Sequence, residues 1–268
     1  MSRVGEKNVP ELRGRTEFVD LKPFNMLKKC SIFIVAGLLS ACQSETNQNS
    51  ENMNKQEDNK ILLMKRQILL DSSKVLYEKS EFTQEEFNDQ WTVHHSEWSV
   101  EDGWLVGENR GNWPGMAILK QDFPGNVLVE FEAQTILPSS HDINVMWNGE
   151  WLTDKDQRGI AYVAGLEGWW TGKVGIEKSP DYKFMVGTPL LDFEPGKIYK
   201  IQAGSIDGHC FILANGKLLL EAMDPDPIDN QKYTKVGLEA YCSKIKIRNI
   251  KIRQIHWEAV EMKYDPDF

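Results

Sequence analysis

The stretch Lys197–Met223, KIYKIQAGSIDGHCFILANGKLLLEAM, places two short turn signals between three runs rich in apolar residues. The turn signals are Ile206-Asp207-Gly208 and Ala214-Asn215-Gly216, and Asn-Gly is a strong signal for a two-residue hairpin turn. Short apolar runs bounded by Gly, Asn and Asp are typical of β-strands. The stretch therefore predicts three consecutive antiparallel strands joined by tight turns.

The same pattern extends to both sides of this stretch. Two runs flank a turn at Glu101-Asp102-Gly103, and residues 126–137 alternate between apolar and polar side chains. Residues 235–255 also alternate but change phase twice, which predicts a turn or bulge at Ser243-Lys244 and a bulge near Asn249. Many short strands without alternating helices indicate an all-β fold, an antiparallel β-sandwich or jelly roll.

One short helix interrupts this pattern. The segment Thr83–Trp91, TQEEFNDQW, has Thr83 at the N-cap position and Glu86 three residues later. This spacing is that of a capping box, in which the two side chains satisfy free backbone amides of the first turn. We expect a single helix here.

The N-terminal region combines a short basic segment, an apolar run and a small-residue segment. Lys28-Lys29 is followed by a short apolar run and then by Leu39-Ser40-Ala41-Cys42, a small-residue cleavage site. The apolar run is too short to span a bilayer. This resembles a bacterial lipoprotein signal, and the resemblance implies that Cys42 is lipidated and becomes the first mature residue. Residues 1–25 lack any signal pattern, so we expect translation to start at Met26.

These features predict three parts: a leader (1–41), a disordered tether (42–70) and a single jelly-roll domain (71–268). The segment after Cys42 has almost no apolar residue and cannot order itself by burial. We expect an outer-membrane or cell-surface lipoprotein, with the periplasmic side open as an alternative. Membrane contact is expected only through the lipid anchor.

The net charge bears on nucleic-acid binding, and the cysteines bear on disulfide formation. The formal net charge of −9 leaves no basic surface for a nucleic-acid backbone, so nucleic acid is not expected as a partner. Cys210 and Cys242 remain after the leader and lipid cysteines are assigned. In an exported protein they could form a disulfide or stay as small buried thiols, and both alternatives remain open.

Alternation predicts one polar face shared by three strands. In HDINVMWNGEW, GKVGIEKSP and VGLEAYC, one set of side chains is apolar and the opposite set is polar. If these strands are neighbours, one sheet exposes carboxylates, an amide, an amine and a phenol together. The predicted set is Asp142, Asn144, Lys173, Glu177, Glu239 and Tyr241.

The segment Gly165–Tyr182, GLEGWWTGKVGIEKSPDY, sets two adjacent tryptophans among glycines. Exposed indoles beside hydrogen-bonding groups suit sugars, which offer an apolar face for stacking and hydroxyls for polar partners. We expect Trp169 and Trp170 to contribute to such a site. The alternative is that both fill the core.

Five segments together resemble a family of uncharacterised bacterial proteins: HDINVMWNGEW, GLEGWWTGKVGIEKSPDY, TPLLDFEPGKIYKIQAG, NGKLLLEAMDPDPID and KVGLEAYCSKIKIRNIKIR. The resemblance covers about Val75 to Arg253. It implies a fold of the concanavalin-A-like lectin and glucanase type, and several members lie near pectin-degradation genes. A weaker similarity, in WSVEDGWLVGE and VLVEFEAQ, is to 3-keto-disaccharide hydrolase jelly rolls.

These observations predict a membrane-anchored protein that binds, and in one reading cleaves, plant or algal oligosaccharides. Hydrolysis needs two carboxyl groups, for which Glu177 and Glu239 are the candidates, with Lys173 holding Glu177 ionised. Elimination from a uronate would instead use a base such as Tyr241. The non-enzymatic alternative is a surface lipoprotein that only captures glycan.

No catalytic cofactor or metal is expected from the sequence. The acidic segment Asp224–Asp229, DPDPID, could hold a structural Ca²⁺, but it lacks the spacing of a known calcium loop. A Pro-rich acidic turn is the simpler interpretation.

Overall fold

The computed structural model describes residues 59–168 and 172–261. Within these ranges the chain forms one short helix and twenty strands, and the strands pair antiparallel. The elements are β1 (Lys60–Leu63), β2 (Arg66–Leu69), β3 (Lys74–Lys79), α1 (Gln84–Gln90), β4 (Trp91–His94), β5 (Glu97–Glu101), β6 (Trp104–Asn109), β7 (Gly115–Leu119), β8 (Val127–Thr135), β9 (Ile143–Gly149), β10 (Trp151–Leu152), β11 (Gln157–Arg158), β12 (Ala161–Leu166), β13 (Val174–Ser179), β14 (Met185–Thr188), β15 (Tyr199–Ile206), β16 (His209–Ala214), β17 (Lys217–Met223), β18 (Lys235–Ala240), β19 (Ser243–Gln254) and β20 (Trp257–Ala259).

Two sheets contain most of these strands. One has seven strands in the order β14-β13-β12-β9-β18-β7-β4. The other has eight: seven follow the order β17-β16-β15-β8-β19-β6-β5, and the eighth, β3, pairs with β19. A single core contains Val145 and Ile176 from the first sheet together with Val129, Ile201 and Ile247 from the second. The sheets therefore pack face to face, and the predicted all-β antiparallel sandwich is confirmed.

Tight turns of the predicted kind join β15, β16 and β17. Asp207-Gly208 and Asn215-Gly216 are the two-residue loops, and all four residues have positive φ between 50° and 81°. Positive φ at both central positions defines the type I′ turn, which matches the twist of the flanking strands. The hairpins predicted from Lys197–Met223 are confirmed.

Helix α1 begins with the predicted capping box. The Thr83 hydroxyl accepts a hydrogen bond from the Glu86 backbone amide, and the Glu86 carboxylate accepts one from the Thr83 amide. Phe87 is buried and stacks on Trp91 with ring centroids 6.0 Å apart. The predicted helix is therefore confirmed, and Phe87 packs it against the core.

The phase changes in the last strands are resolved as one turn and one bulge. Tyr241–Cys242 forms the turn between β18 and β19, with Cys242 at a φ of 49°, so the turn lies one to two residues before Ser243-Lys244. The bulge near Asn249, whose φ is 52°, is confirmed. Cys242 is exposed rather than facing the core, and Cys210 is buried; both are free thiols.

The folded part begins earlier than predicted. Strands β1, β2 and β20 form a small sheet, and apolar side chains of β1 and β2 pack with Phe211 and Leu213. The tether therefore does not extend to residue 70, because Ile61, Leu63 and Ile68 bury enough apolar surface to order the hairpin. The leader, Cys42 and most of the predicted tether lie outside the described residues. In the described ranges, no helix has the length and apolar character needed to cross a bilayer.

Candidate functional site

Three strands of the seven-stranded sheet carry Glu177, Asn144 and Glu239 on the face turned away from the core. Glu239 of β18 lies directly opposite Asn144 of β9 in the strand register. Core residues flank both of them in the sequence, so strand alternation directs their own side chains outward. Glu177 lies on β13, which is separated from β9 by β12. The predicted polar face therefore exists in the sheet.

An open cavity of about 730 Å³ lies over this face. Five of the predicted site residues line it: Asp142, Asn144, Glu177, Glu239 and Tyr241. Tyr241 reaches it from the β18–β19 turn, where its hydroxyl donates to the Asn112 carbonyl at 3.0 Å. The arrangement concentrates three buried carboxyl groups and one amide at the base of one cavity.

A buried arginine, which the sequence pattern did not indicate, organises these carboxyl groups. Arg158 lies on β11 of the small β10–β11 hairpin. Its Nη2 donates to Glu177 Oε1 at 2.8 Å, its Nη1 donates to Glu239 Oε2, and its Nε donates to Ser179 Oγ at 3.2 Å. Charged groups this deeply buried are stable only when paired and hydrogen-bonded. Arg158 thus fixes the positions of both predicted acids.

Burial shifts the proton affinity of two of the three acids. Burial, and then the charge of Glu239, raises the pKa of Asp142 to about 8, although Asn144 donates to Asp142 Oδ1 at 2.6 Å. Burial likewise raises the pKa of Glu177 to about 7, because the attraction of Arg158 offsets only part of the desolvation. Near neutral pH the cavity therefore holds exchangeable protons on both groups.

Lys173 does not play the role expected from the sequence. The cation that contacts Glu177 is Arg158, and Lys173 is exposed and is not among the described residues that line the cavity. The reason is local geometry. Lys173 precedes β13 and follows Gly172, whose φ is 77°, so the strand alternation on which the prediction rested does not extend to it.

Two buried acceptor atoms at the base of the cavity have no hydrogen-bond partner among the described residues. They are Asn144 Oδ1 and Glu177 Oε2. Glycines make room for the amide: a Cβ on Gly165 would lie 1.7 Å from Asn144 Oδ1, and one on Gly168 would lie 3.1 Å from it. An unsatisfied buried polar atom costs about 1–3 kcal/mol, so each is a candidate contact for a ligand donor.

Aromatic side chains stand at the rim of the same cavity. The side chains of Trp113 and Tyr182 are 63% and 47% exposed, although both line the cavity. Trp113 follows β6 in a loop held by Asn109, whose amide donates to the Trp113 carbonyl at 2.6 Å. The predicted Trp169 and Trp170 lie outside the described residues. The described aromatic rim was missed because Trp113 lies in a loop without strand alternation.

An aromatic contact and a polar contact attach the hairpin that carries Arg158 to the rest of the domain. Trp151 of β10 stacks on His94 with ring centroids 4.0 Å apart. His95 Nε2 lies 3.4 Å from Asp156 Oδ2 in the hairpin loop. These contacts hold the hairpin over the outer face of the sheet and so keep Arg158 in position.

In the acidic segment after β17, the side chain of Asp224 contacts other groups of the protein. Asp224 is buried, accepts a hydrogen bond from the Tyr162 hydroxyl at 2.8 Å and pairs with Lys178 at 2.8 Å. Among the described residues, no cluster of three or more His, Cys, Asp or Glu side chains is arranged to hold a metal ion. Asp224 therefore acts as a structural ion-pair partner.

Comparison with known proteins gives the fold but no family. No protein-family model matches the chain, and the search of curated proteins found no match. Among solved structures, a Bacillus subtilis protein of unknown function with a galectin-like fold has a TM-score of 0.51 and 16% identity, over 68% of this chain and 96% of that one. The carbohydrate binding module CBM66 from Bacillus subtilis has a TM-score of 0.47 and 13% identity, over 61% of this chain and 95% of that one. The match to the galectin-like structure supports the antiparallel β-sandwich fold of this chain.

Proposed function

We propose that this protein binds oligosaccharides in the cavity over the seven-stranded sheet. The observation that carries the proposal is the pairing of exposed rings at the rim with unpartnered acceptors at the base. A sugar ring presents an apolar face that can stack on Trp113 or Tyr182, and hydroxyl groups that can donate to Asn144 Oδ1 and Glu177 Oε2. Plant or algal oligosaccharides are the proposed ligands.

The rigidity of the site supports binding of a defined ligand. Arg158 holds Glu177 and Glu239 from a hairpin attached to the rim, and the sheet register fixes Asn144 opposite Glu239. Polar groups positioned in advance lose little conformational freedom when a ligand arrives. The free-energy cost of ordering the site on binding is therefore small.

A second candidate function is cleavage of a glycosidic bond. Glu177 favours it, because a carboxyl group with a pKa of about 7 and one free oxygen in a cavity is suited to protonate a leaving group. Glu239, paired with Arg158, would be the second carboxylate that hydrolysis requires. If the protein is an enzyme, Glu177→Gln abolishes turnover while retaining the fold. Full turnover in this variant would exclude Glu177 as the proton donor.

We further propose that the protein is anchored through a lipid on Cys42, at the outer membrane or cell surface. The leader sequence is the support for this part of the proposal. Mass spectrometry of the membrane fraction should find a lipid-modified N-terminal Cys42. An unmodified N-terminus in that fraction would contradict it.

Binding can be tested with protein that lacks the leader. Calorimetry against a panel of plant and algal oligosaccharides should find at least one ligand, and Trp113→Ala should weaken its binding by about 10- to 30-fold, as expected for the loss of an aromatic ring on which the sugar stacks. Leu62→Ala is the matched control, since Leu62 is 60% exposed and lies on the separate small sheet. Equal affinity of Trp113→Ala and wild type would show that Trp113 does not contact the ligand.

A further inference from the structure

The cavity contains more acidic than basic side chains. The described residues that line it include four carboxyl groups but one guanidinium, with His95 as the other basic side chain. The four are Asp142, Asp156, Glu177 and Glu239. A ligand that brings its own negative charge would add to this excess, whereas a positively charged ligand would reduce it.

The guanidinium is already engaged by the protein. Each of the three nitrogens of Arg158 donates to a protein oxygen, on Glu177, Glu239 or Ser179. A ligand carboxylate that approached the remaining N–H groups of Arg158 would either lie close to the carboxyl groups of Glu177 and Glu239 or displace one of them and leave it buried without a cation. Loss of a partner from a buried ion pair is costly, so this exchange is unfavourable.

The unpartnered atoms at the base of the cavity also favour a ligand that donates hydrogen bonds and carries a positive charge. Asn144 Oδ1 is an acceptor, and Glu177 Oε2 is one whenever that group is ionised. Both are buried, so a partner must enter the cavity to reach them. An ammonium group offers several N–H donors and a positive charge. When it pairs with a buried carboxyl group, that group can lose its own proton and remain as a carboxylate.

We propose that the cavity selects sugars that carry a free amino group, prefers them to the corresponding neutral sugars, and excludes uronates. This inference rests on the proposed oligosaccharide binding, and it specifies the charge class of the ligand. The ammonium group lies at the base, close to Glu177 and Asn144, while a sugar ring stacks at the rim. It also weighs against uronate elimination at this site, because that reaction needs a free cation to neutralise the substrate carboxylate.

Calorimetry with matched oligosaccharides near neutral pH tests this selection. The gluco and galacto series each supply an amino sugar, a neutral sugar and a uronate of equal length and linkage. We expect the amino sugar to bind about tenfold more tightly than the neutral one, as for a hydrogen bond to a charged group, and the uronate to bind at least about tenfold more weakly.

Two variants separate the charge effect from a general loss of structure. Glu177→Gln should reduce the ratio of amino-sugar to neutral-sugar affinity by about tenfold, because it removes a carboxylate but retains the side-chain shape. Glu132→Gln is the control: Glu132 is also paired with an arginine, Arg248, at 3.0 Å, but it lies on the eight-stranded sheet outside the cavity. It should leave the ratio unchanged.

The possible outcomes are distinguishable. A uronate that binds as tightly as the neutral sugar, or a ratio that Glu177→Gln leaves unchanged, overturns the charge selection alone. If no member of either series binds, oligosaccharide binding itself fails for these sugars and the selection fails with it.

Discussion

Replacing Glu177 with glutamine should change the pH dependence of stability by a predictable amount. The pKa of Glu177 rises from 4.5 in the unfolded chain to about 7 in the folded protein, so the folded state binds this proton more tightly. The free energy of unfolding must then fall as the pH rises from about 4.5 to about 7. A shift of about 2.5 pKa units corresponds to about 3 kcal/mol, at 1.36 kcal/mol for each unit.

Glutamine has nearly the same shape but does not titrate in this range. Urea unfolding of wild type and Glu177→Gln at several pH values between about 4.5 and 7.5 should show that the variant loses about 3 kcal/mol less on going from acid to neutral pH. Asp142, whose pKa is raised to about 8, also lowers the free energy of unfolding as the pH rises, and this effect should be slightly smaller in the variant because the charge of Glu177 contributes to the shift.

The matched control is again Glu132→Gln on the opposite sheet. It removes a carboxyl group that is also paired with an arginine, and so it measures the effect of losing such a pair outside the cavity. Parallel curves for wild type and Glu177→Gln would refute the conclusion that burial outweighs Arg158 at this carboxyl group.

Three further substitutions test other parts of the structure. Arg158→Met leaves two buried carboxyl groups without their cation. Urea unfolding should show a loss of about 3–5 kcal/mol in the free energy of unfolding at neutral pH and a smaller loss in acid. An equal loss at both pH values would contradict this expectation. Gly165→Ala places a methyl group 1.7 Å from Asn144 Oδ1, so it should lower both the midpoint of thermal unfolding and the ligand affinity. The double variant Gly165→Ala, Asn144→Ala should recover the midpoint but not the affinity. At Gly216 an added Cβ would have open space, but the φ is 78°. Gly216→Ala should therefore lower the free energy of unfolding by about 1–2 kcal/mol through backbone strain alone. An unchanged free energy of unfolding would show that the hairpin turn adjusts.

Strand alternation accounts for the part of the site that could be predicted. Asn144 and Glu239 are flanked in sequence by apolar residues, and a period of two then directs both polar side chains away from the core. Alternation does not give the order of strands in the sheet. The observed register, with Glu239 directly opposite Asn144, supplies the contact that alternation alone cannot specify.

Arg158 could not be found in the same way, for a physical reason. It lies on a strand of two residues within a polar segment, where no periodic pattern exists. Its two carboxylate partners are 19 and 81 residues away in the chain. Such contacts depend on how the hairpin folds back over the sheet, which is a property of the tertiary structure.

The errors of the sequence analysis lie where strands end. Lys173 and Cys242 were assigned to faces by extending alternation beyond β13 and β18, but a positive φ at Gly172 and at Cys242 itself interrupts the extended backbone. At the N-terminal side, the β1–β2 hairpin was missed because it is short and follows a strongly polar segment. Its apolar residues become informative only when their partners in β16 are known.

The most direct test of oligosaccharide binding is a crystal structure of the protein with the tightest-binding member of the sugar panel. We expect a sugar ring stacked on Trp113 or Tyr182, with an N–H or O–H group within hydrogen-bond distance of Asn144 Oδ1. A sugar bound elsewhere on the surface, with the cavity over the seven-stranded sheet left empty, would contradict the assignment of this cavity as the binding site.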